Sequence, residues 1–499
     1  MTRSSTSNDV VAIIGAGPAG LTAAYELQRR SNSYKPVVFE ASDSVGGISR
    51  TESHNGYRFD IGGHRFFTKV EEVEQMWHEV LGDDFITVPR LSRIYYRGKF
   101  FDYPLKIFNA LKNIGLYETI RIIISFTKWK MRPYRSERTF EEWVINRFGG
   151  RLYMHFFRSY TEKVWGIDPK LISADWAAQR IKNLSLPKAV WNALTGSNDT
   201  ASLIEEFQYP RLGPGMMWER CTEKVIENGG EVQMNTKVVQ VNREGMRVTS
   251  IDLESWDPNA DPSDKSGNKT TRYDADEFVS TMAMRDLLRC IQPPPPQEVL
   301  DAANKLSYRD FMIVTLVLDE KDPFPDNWIY VHSSDIKCGR IQNFRAWSPE
   351  MLPDQDTASI GMEYFCQDDD DLWNMEDDDL TALASRELEE LGLASASNVI
   401  GSAIIRQPKA YPVYDEKYQS ALAVIRGWME NLENFQTVGR NGLHRYNNQD
   451  HSMLSAMLAA RNILGETHNV WDVNVERSYH EEFQISSDKP NPEVKPSTA

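Results

Sequence analysis

Apolar runs bounded by glycines and polar turns divide the chain into elements. Residues 10–14, VVAII, are continuously apolar and lead straight into GAGPAG. LTAAYELQRR follows, with apolar positions at helical spacing among good helix formers. A second apolar strand, PVVFE, ends at Glu40, so the opening predicts strand, helix and strand in βαβ order. Between about residues 105 and 202 the period becomes helical, in KIFNALKNI, YETIRIIISFTKWKM and TFEEWVINRF, which predicts a helical insertion. Residues 213–241 read as helix, turn and strand. Beyond a stiff PPPP connector at 293–296, the segments FMIVTLVLD, NWIYVH and SIGMEYF predict strands of an antiparallel sheet. The polar stretch 256–276 predicts a surface hairpin or loop, QDDDDLWNMEDDD a solvated loop before a helix, and the tail after about 486 a disordered end.

A chain of 499 residues is too long for one core and predicts two or three structural units. With 56 basic and 72 acidic residues the formal net charge is −16, which argues against a general affinity for nucleic acid or anionic membrane. Any anionic ligand must then be held by local cations. The four cysteines, Cys221, Cys290, Cys338 and Cys366, are far apart and have no metal-ligand spacing, so no metal site and a reduced, cytoplasmic setting are expected. MTRSSTSND lacks the apolar core of a signal peptide, and no run approaches the roughly 20 apolar residues of a membrane span. The basic, amphipathic IRIIISFTKWKM suits a membrane surface or packing inside a helical bundle, and bundle packing is the expected use.

Gly15, Gly17 and Gly20 form GxGxxG between a strand and a helix. There glycine permits a tight turn, close approach of a pyrophosphate and close helix packing, with the helix N-terminus toward the phosphates. Glu40 ends the next strand twenty residues beyond Gly20, where an acid accepts from a ribose hydroxyl. SVGGISRT then places Gly46, Gly47 and Arg50 just past this acid, which resembles the second glycine pair of the FAD-binding amine oxidase and mutase superfamily. That resemblance selects FAD over NAD and turns Arg50 toward the pyrophosphate.

YRFDIGGHRFF narrows it. The stretch is similar to the flavin-facing loop of the FAD-dependent UDP-galactopyranose mutases, particularly the eukaryotic type, with Gly62, Gly63 and His64 against the isoalloxazine. Further motifs follow in the same order: YYRGKFFDYP with Tyr103, SYTEKVWG with Trp165, SADWAAQRI with Arg180, and NWIYVHSSDIKCGRIQNFRAW with Tyr330 and Arg340. KAYPVYD brings Tyr411, and GRNGLHRYNNQDHS brings Gly439, Arg440, Tyr446, Asn448, Gln449, Asp450 and Ser452 under the flavin. Val238 joins the cofactor set. The resemblance spans roughly residues 10–465. Three positions depart from it: Lys106 stands where the mutases carry a glutamine against uracil, Trp347 where they carry a phosphate-contacting tyrosine, and RYNNQDHS is shorter.

The resemblance implies an α/β protein: a Rossmann-like FAD-binding domain with a helical insertion and an antiparallel β-sheet substrate domain. The expected segments are 8–104, 206–300 and 419–475 for FAD, 105–205 for the helical insertion, 301–418 for the substrate sheet and 476–499 for a tail. The implied activity is a sugar-nucleotide mutase interconverting pyranose and furanose, with N5 of reduced FAD as nucleophile at the anomeric carbon and NAD(P)H as a possible reductant. Such chemistry needs no Ser-His-Asp or metal constellation, and the sequence shows neither. Arg180 and Arg340 would clamp the departing diphosphate, since guanidinium donors match phosphate oxygens and stay charged; the bland alternative for either is a structural salt bridge. His64 either tunes the flavin or is a packed residue among Phe59, Phe66 and Phe67. Tyr103, Lys106, Trp165, Tyr330, Trp347, Tyr411 and Tyr446 complete the substrate set. A nucleoside-diphosphate sugar is the expected partner, without nucleic acid or an integral membrane segment, in a possible homo-oligomer. The rival enzyme is an FAD-dependent oxidoreductase of the protoporphyrinogen or amine oxidase type, and the non-enzymatic rival a flavoprotein scaffold.

Overall fold

The VVAII run becomes the strand Asp9–Ile14 at the centre of a five-stranded parallel sheet. In the computed structural model, which describes residues 9–103, 113–174, 206–256 and 269–474, that sheet has the order Phe435–Thr437, Glu277–Ser280, Asp9–Ile14, Tyr34–Phe39, Glu231–Gln233. Parallel strands are covered on both faces, which is why these read as unbroken apolar runs. The helix Pro18–Arg30 starts with proline in its first turn, buries Leu21, Ala24 and Leu27, and packs beside the helix Gln449–Ile463. A second, four-stranded sheet follows the order Lys269–Asp274, Arg247–Ser255, Thr236–Glu244, Ile291–Gln292. Its first member is an exposed edge strand that pairs antiparallel with Arg247–Ser255, in keeping with the hairpin expected from the sequence; residues 257–268 lie outside the described residues.

The third sheet has seven strands in the order Val399–Pro412, Tyr308–Leu318, Ala358–Cys366, Arg340–Asn343, Trp328–Val331, Ser92–Tyr96, Lys99–Asp102. All neighbours are antiparallel except Trp328–Val331 with Ser92–Tyr96, which run parallel. Two of its strands thus come from residues 92–102, which the expected first FAD segment, 8–104, includes. Ser92, Ile94 and Tyr96 face inward, and Arg93 anchors the strand by donating Nε–H to Asp326 Oδ1 at 2.7 Å.

The described helical region comprises the helices Leu116–Met131, Phe140–Phe148 and Arg158–Trp165, with the short helical turn Gly150–Leu152 and the π-helical segment Tyr153–Phe157 leading into the third. A capping box between Thr139 and Glu142 starts the second. The first packs on the second and on Gly149 and Gly150 through Phe126 and Trp129, while only Thr119 and Ile122 are buried along it and its outer apolar face is not covered by the described residues. Its inner side is also fastened by Glu118, which pairs with Arg151 and with His155 Nε2 at 2.8 Å. No helix among the described residues is long and apolar enough to cross a membrane. Arg180, Lys106 and the tail 476–499 lie outside the described residues.

Candidate active site

The turn after the first strand requires glycine for steric reasons. Gly15 has φ +98°, and a Cβ there would lie 2.2 Å from Thr281 Oγ1. A Cβ on Gly20 would meet the Gly15 carbonyl oxygen at 1.8 Å, so the helix presses against its own turn. A Cβ on Gly47 would come within 3.3 Å of Gly17 Cα, and Gly46 N–H donates to the Ala16 carbonyl at 2.8 Å, which joins the two glycine loops. Glu40 braces them by accepting from Ala16 N–H at 2.7 Å and from Ser42 N–H at 2.9 Å. A carboxylate has about four lone-pair sites, so acceptor capacity remains.

These residues form one wall of a groove of about 160 Å³, which Gly15, Gly17, Glu40 and Gly47 border with His64. The facing wall carries Gly439, Arg440, Asn448, Gln449 and Ser452. The first residues of two helices, Pro18–Arg30 and Gln449–Ile463, border the groove, so the positive ends of two helix dipoles meet there. Three buried atoms on its lining, His64 Nδ1, Asn441 Oδ1 and Gln449 Oε1, have no hydrogen-bond partner. Close-approach glycines, an acid, two helix N-termini and unsatisfied polar atoms fit FAD, the dinucleotide expected from the sequence.

At Gly62 and Gly63 the groove meets the seven-stranded sheet. Gly62 has φ +95°, and a Cβ on it would stand 3.5 Å from Glu363 Oε1 and 3.8 Å from Arg340 Nη2. A Cβ on Gly63 would lie 2.8 Å from Gln342 Nε2. Arg340 and Glu363 are paired positions of adjacent antiparallel strands; Arg340 Nε–H donates to Glu363 Oε2, and Gln342 Nε2 donates to Oε1 at 2.7 Å. Burial opposes the charge on Arg340, and the Glu363 carboxylate outweighs it, so the guanidinium stays charged well above the ordinary range. Arg340 Nη2 also donates to Tyr411 Oη at 3.2 Å.

His64 feels this electrostatic centre. Burial first, then the cations of Arg440 and Arg340, push its pKa down to about 3, so the imidazole is neutral at any working pH. Asp60, at the end of Tyr57–Asp60, accepts from Thr51 Oγ1 at 2.9 Å and from Tyr209 Oη, while its carbonyl accepts from Gly62 N–H at 2.9 Å. Burial raises its carboxyl to about 7.

Aromatic rings close the other side. Tyr411 and Tyr446 stack with centroids 5.5 Å apart and planes 13° apart, Trp165 meets them at 6.2 and 6.0 Å, and the Arg440 guanidinium lies 5.5 and 5.1 Å from the two tyrosine centroids. Tyr330 touches Tyr103 at 4.8 Å and Tyr160 at 6.0 Å, and Tyr160 stacks on His332 at 4.2 Å. The helix Arg158–Trp165 is locked to this wall by Lys163, whose Nζ donates to the carbonyls of Val331, Ser333 and Cys338 at 2.9, 2.8 and 3.0 Å. Burial lowers the Lys163 pKa to about 8.

The structure therefore brings together Arg340, Tyr411, Tyr446 and Trp165, with Tyr103 and Tyr330 alongside. Three expectations, Trp347, Arg50 and Asp450, do not match the geometry. Trp347 does not face the pocket: it packs on Phe207, Tyr209 and Trp328, and its indole N–H donates to the Asn327 carbonyl at 2.8 Å. Arg50 does not aim at the groove, because its guanidinium donates to Glu52, the Gly47 carbonyl and Gln407. Asp450 is buried, with His451 Nδ1 at 3.3 Å, and does not border the groove. Val238 lies two residues beyond Thr236, whose N–H donates to the Glu40 carbonyl at 2.8 Å. Missed from sequence were Glu363, Gln342, Tyr160, Lys163 and Asp60. One signal pointed to Glu363: it is a lone carboxylate inside the apolar run ASIGMEYFC, and a buried charge requires a partner.

Comparison with known proteins agrees with this architecture. The chain is similar to a crystal structure of reduced UDP-galactopyranose mutase, with a TM-score of 0.80, 20% identity and coverage of 94% of this chain and 98% of that one. It is similar to a putative protoporphyrinogen oxidase from Exiguobacterium sp. 255-15, at a TM-score of 0.67 and 16% identity over 92% of this chain and 100% of that one. Among curated sequences, protoporphyrinogen oxidase 2 of Arabidopsis thaliana is 20% identical over 464 residues, covering 87% of this chain and 90% of the relative. A 1-hydroxycarotenoid 3,4-desaturase of Flavobacterium sp. (strain P99-3) is 25% identical over 273 residues, 50% of this chain; the match spans 54% of the desaturase's length. The sequence profile of the flavin containing amine oxidoreductases matches residues 18–404, well over half of the chain. With the groove and its glycine loops, that match establishes that the chain belongs to the flavin containing amine oxidoreductase family, an FAD-binding family.

Proposed function

We propose that the protein is an FAD-dependent sugar-nucleotide mutase of the UDP-galactopyranose mutase kind, interconverting pyranose and furanose forms of a nucleoside-diphosphate sugar. The observation that carries this reading is Arg340, a charged guanidinium kept beside the Gly62–Gly63 turn by Glu363 and Tyr411. An ion pair in an acidic protein is ordinarily structural. Here a second cation, Arg440, acts with Arg340 on His64, and both border an aromatic box. A polar, anionic substrate gives reason for two cations among stacked rings.

Gly15, Gly17, Gly47 and the first helix N-terminus would hold the pyrophosphate of FAD, Glu40 its ribose, and Val238 the adenine end. Gly62, Gly63 and His64 would meet the isoalloxazine from one side, with Gly439, Arg440, Asn448, Gln449 and Ser452 beneath it. Bound and reduced, with NAD(P)H as a possible source of electrons, FAD supplies a nucleophilic N5 for the anomeric carbon. Arg340 neutralises charge that develops on the departing diphosphate, the interaction that lowers a barrier because it strengthens in the transition state. Arg440 supplies a second cation; Arg180, the other clamp expected from sequence, is outside the described residues. Tyr411, Tyr446 and Trp165 exclude water from the sugar, and neutral His64 offers a nitrogen without adding a third positive charge.

A second reading is an FAD-dependent oxidoreductase of the protoporphyrinogen or amine oxidase type. It is favoured by the likeness to the Arabidopsis protoporphyrinogen oxidase, which covers 87% of the chain. Titrating the FAD-loaded protein with nucleoside diphosphates separates the two. The mutase reading expects binding that Arg340→Ala weakens about a hundredfold, a loss of the size of a charge-assisted bond to phosphate, with FAD retained. Absence of nucleoside-diphosphate binding to the wild type selects the oxidoreductase.

A further inference from the structure

We propose that the helix Leu116–Met131 docks on the surface of an anionic phospholipid bilayer. Along it, Leu116, Tyr117, Ile120, Ile123, Ile124 and Met131 are each between 49% and 77% exposed. At about 100° per residue these positions share one arc roughly 120° wide, an apolar stripe on the outer side that also contains the exposed Thr127. Lys130 borders the stripe on one edge and Lys128 and Arg121 on the other, all exposed. Such a stripe between cations is the pattern of a helix lying in the plane of a membrane interface.

The stripe cannot turn inward. Glu118 projects from the opposite side and is held by Arg151 and His155, and His155 in turn shares a 2.9 Å hydrogen bond with Tyr96 of the seven-stranded sheet. The helix is therefore fixed to the body with its apolar side out. No helix among the described residues can span a bilayer, so contact would be with the surface.

Charge selects the occupant. Residues 116–138 carry six cations, Arg121, Lys128, Lys130, Arg132, Arg135 and Arg138, against Glu118 and Glu137, in a chain whose net charge is −16. Both carboxylates are already paired, Glu118 with Arg151 and Glu137 with Arg147. A second copy of this face would bring the same cations together and repel, whereas anionic headgroups complement them. The overall negative charge opposes any other approach to such a surface, so docking is oriented through this helix.

The test is co-sedimentation of the FAD-loaded protein with phosphatidylcholine vesicles, with and without phosphatidylglycerol. Binding is expected with phosphatidylglycerol and should fall roughly tenfold without it or at high salt. Ile120→Glu with Ile124→Glu should abolish it without changing FAD content or melting temperature, and Lys128→Glu with Lys130→Glu should lower it about tenfold. Failure of the wild type to bind would overturn the proposal. So would a melting temperature several degrees lower in the Ile120/Ile124 variant, which would mean that the stripe packs within its own chain. A dimer dissociated by the same variant would give the stripe to a second copy and overturn it too.

Discussion

Arg340 and Glu363 are paired across adjacent antiparallel strands, and the Glu363 side chain is fully buried. The carboxylate fixes the guanidinium beside Gly62 at the junction of groove and aromatic box. Removing one member leaves the other charge uncompensated. Glu363→Ala should therefore lower the unfolding free energy by roughly 3–5 kcal/mol, and Arg340→Ala by a comparable amount. Arg340→Met combined with Glu363→Leu should recover most of that stability in chemical denaturation. Nucleotide binding should stay lost in the double variant, which separates the ion pair's structural part from its ligand-facing part.

His64 titrates near 3 in the folded protein against an ordinary value of 6.5. Between those limits the unfolded chain holds the proton and the folded one does not, so this group's contribution to stability grows as pH rises through the window and is lost in acid. Urea denaturation from pH 4 to 7 should show the wild type gaining steadily on His64→Gln. Turnover should show no inflection from this group between pH 5 and 8.

Asp60 has the opposite sign. Its carboxyl is raised from 3.8 to about 7, so between those values the folded protein keeps a proton that the unfolded chain has released. Stability from this group is lost as pH rises toward 7. Asp60→Asn should gain on the wild type as denaturation is repeated from pH 5 to 8.

Lys163 ties the helix carrying Tyr160 and Trp165 to the loop that precedes Arg340. Lys163→Met leaves three carbonyls without their donor, and hydrogen bonds to a charged group contribute about 1.5–3 kcal/mol each. A loss of roughly 3 kcal/mol or more is expected in denaturation, with FAD content unchanged. Nucleoside-diphosphate affinity should fall too, because Cys338 lies two residues before Arg340.

The nucleotide half was legible because its constraints are local. Gly15, Gly17, Gly20 and Glu40 belong to one strand–helix–strand unit, so spacing locates them, and Gly47 follows in the next loop, where the resemblance points to it. Other features depend on partners distant in sequence. That Ser92–Tyr96 pairs with Trp328–Val331 is set by long-range register and by Arg93 meeting Asp326, neither of which appears in periodicity. Trp347 has the composition of a pocket residue, yet the short helix Phe344–Trp347 turns it into the core. Arg50 has a nearby acid, Glu52, and a distant amide, Gln407, that engage its Nε and Nη1 and orient its guanidinium. The helix Leu116–Met131 shows the same limit, since its amphipathic pattern is identical whether its apolar face meets protein or not.

The central claim is that this family member rearranges a sugar nucleotide without net oxidation. The most direct measurement is anaerobic incubation of the FAD-loaded protein, oxidised or reduced with dithionite, with a panel of nucleoside-diphosphate sugars. Products are separated by chromatography and the flavin absorbance is followed throughout. The account predicts a furanose product from the reduced protein only, with no bleaching of oxidised flavin by any sugar nucleotide. Absence of product across the panel, together with bleaching of the oxidised flavin by a porphyrinogen or an amine, would contradict it.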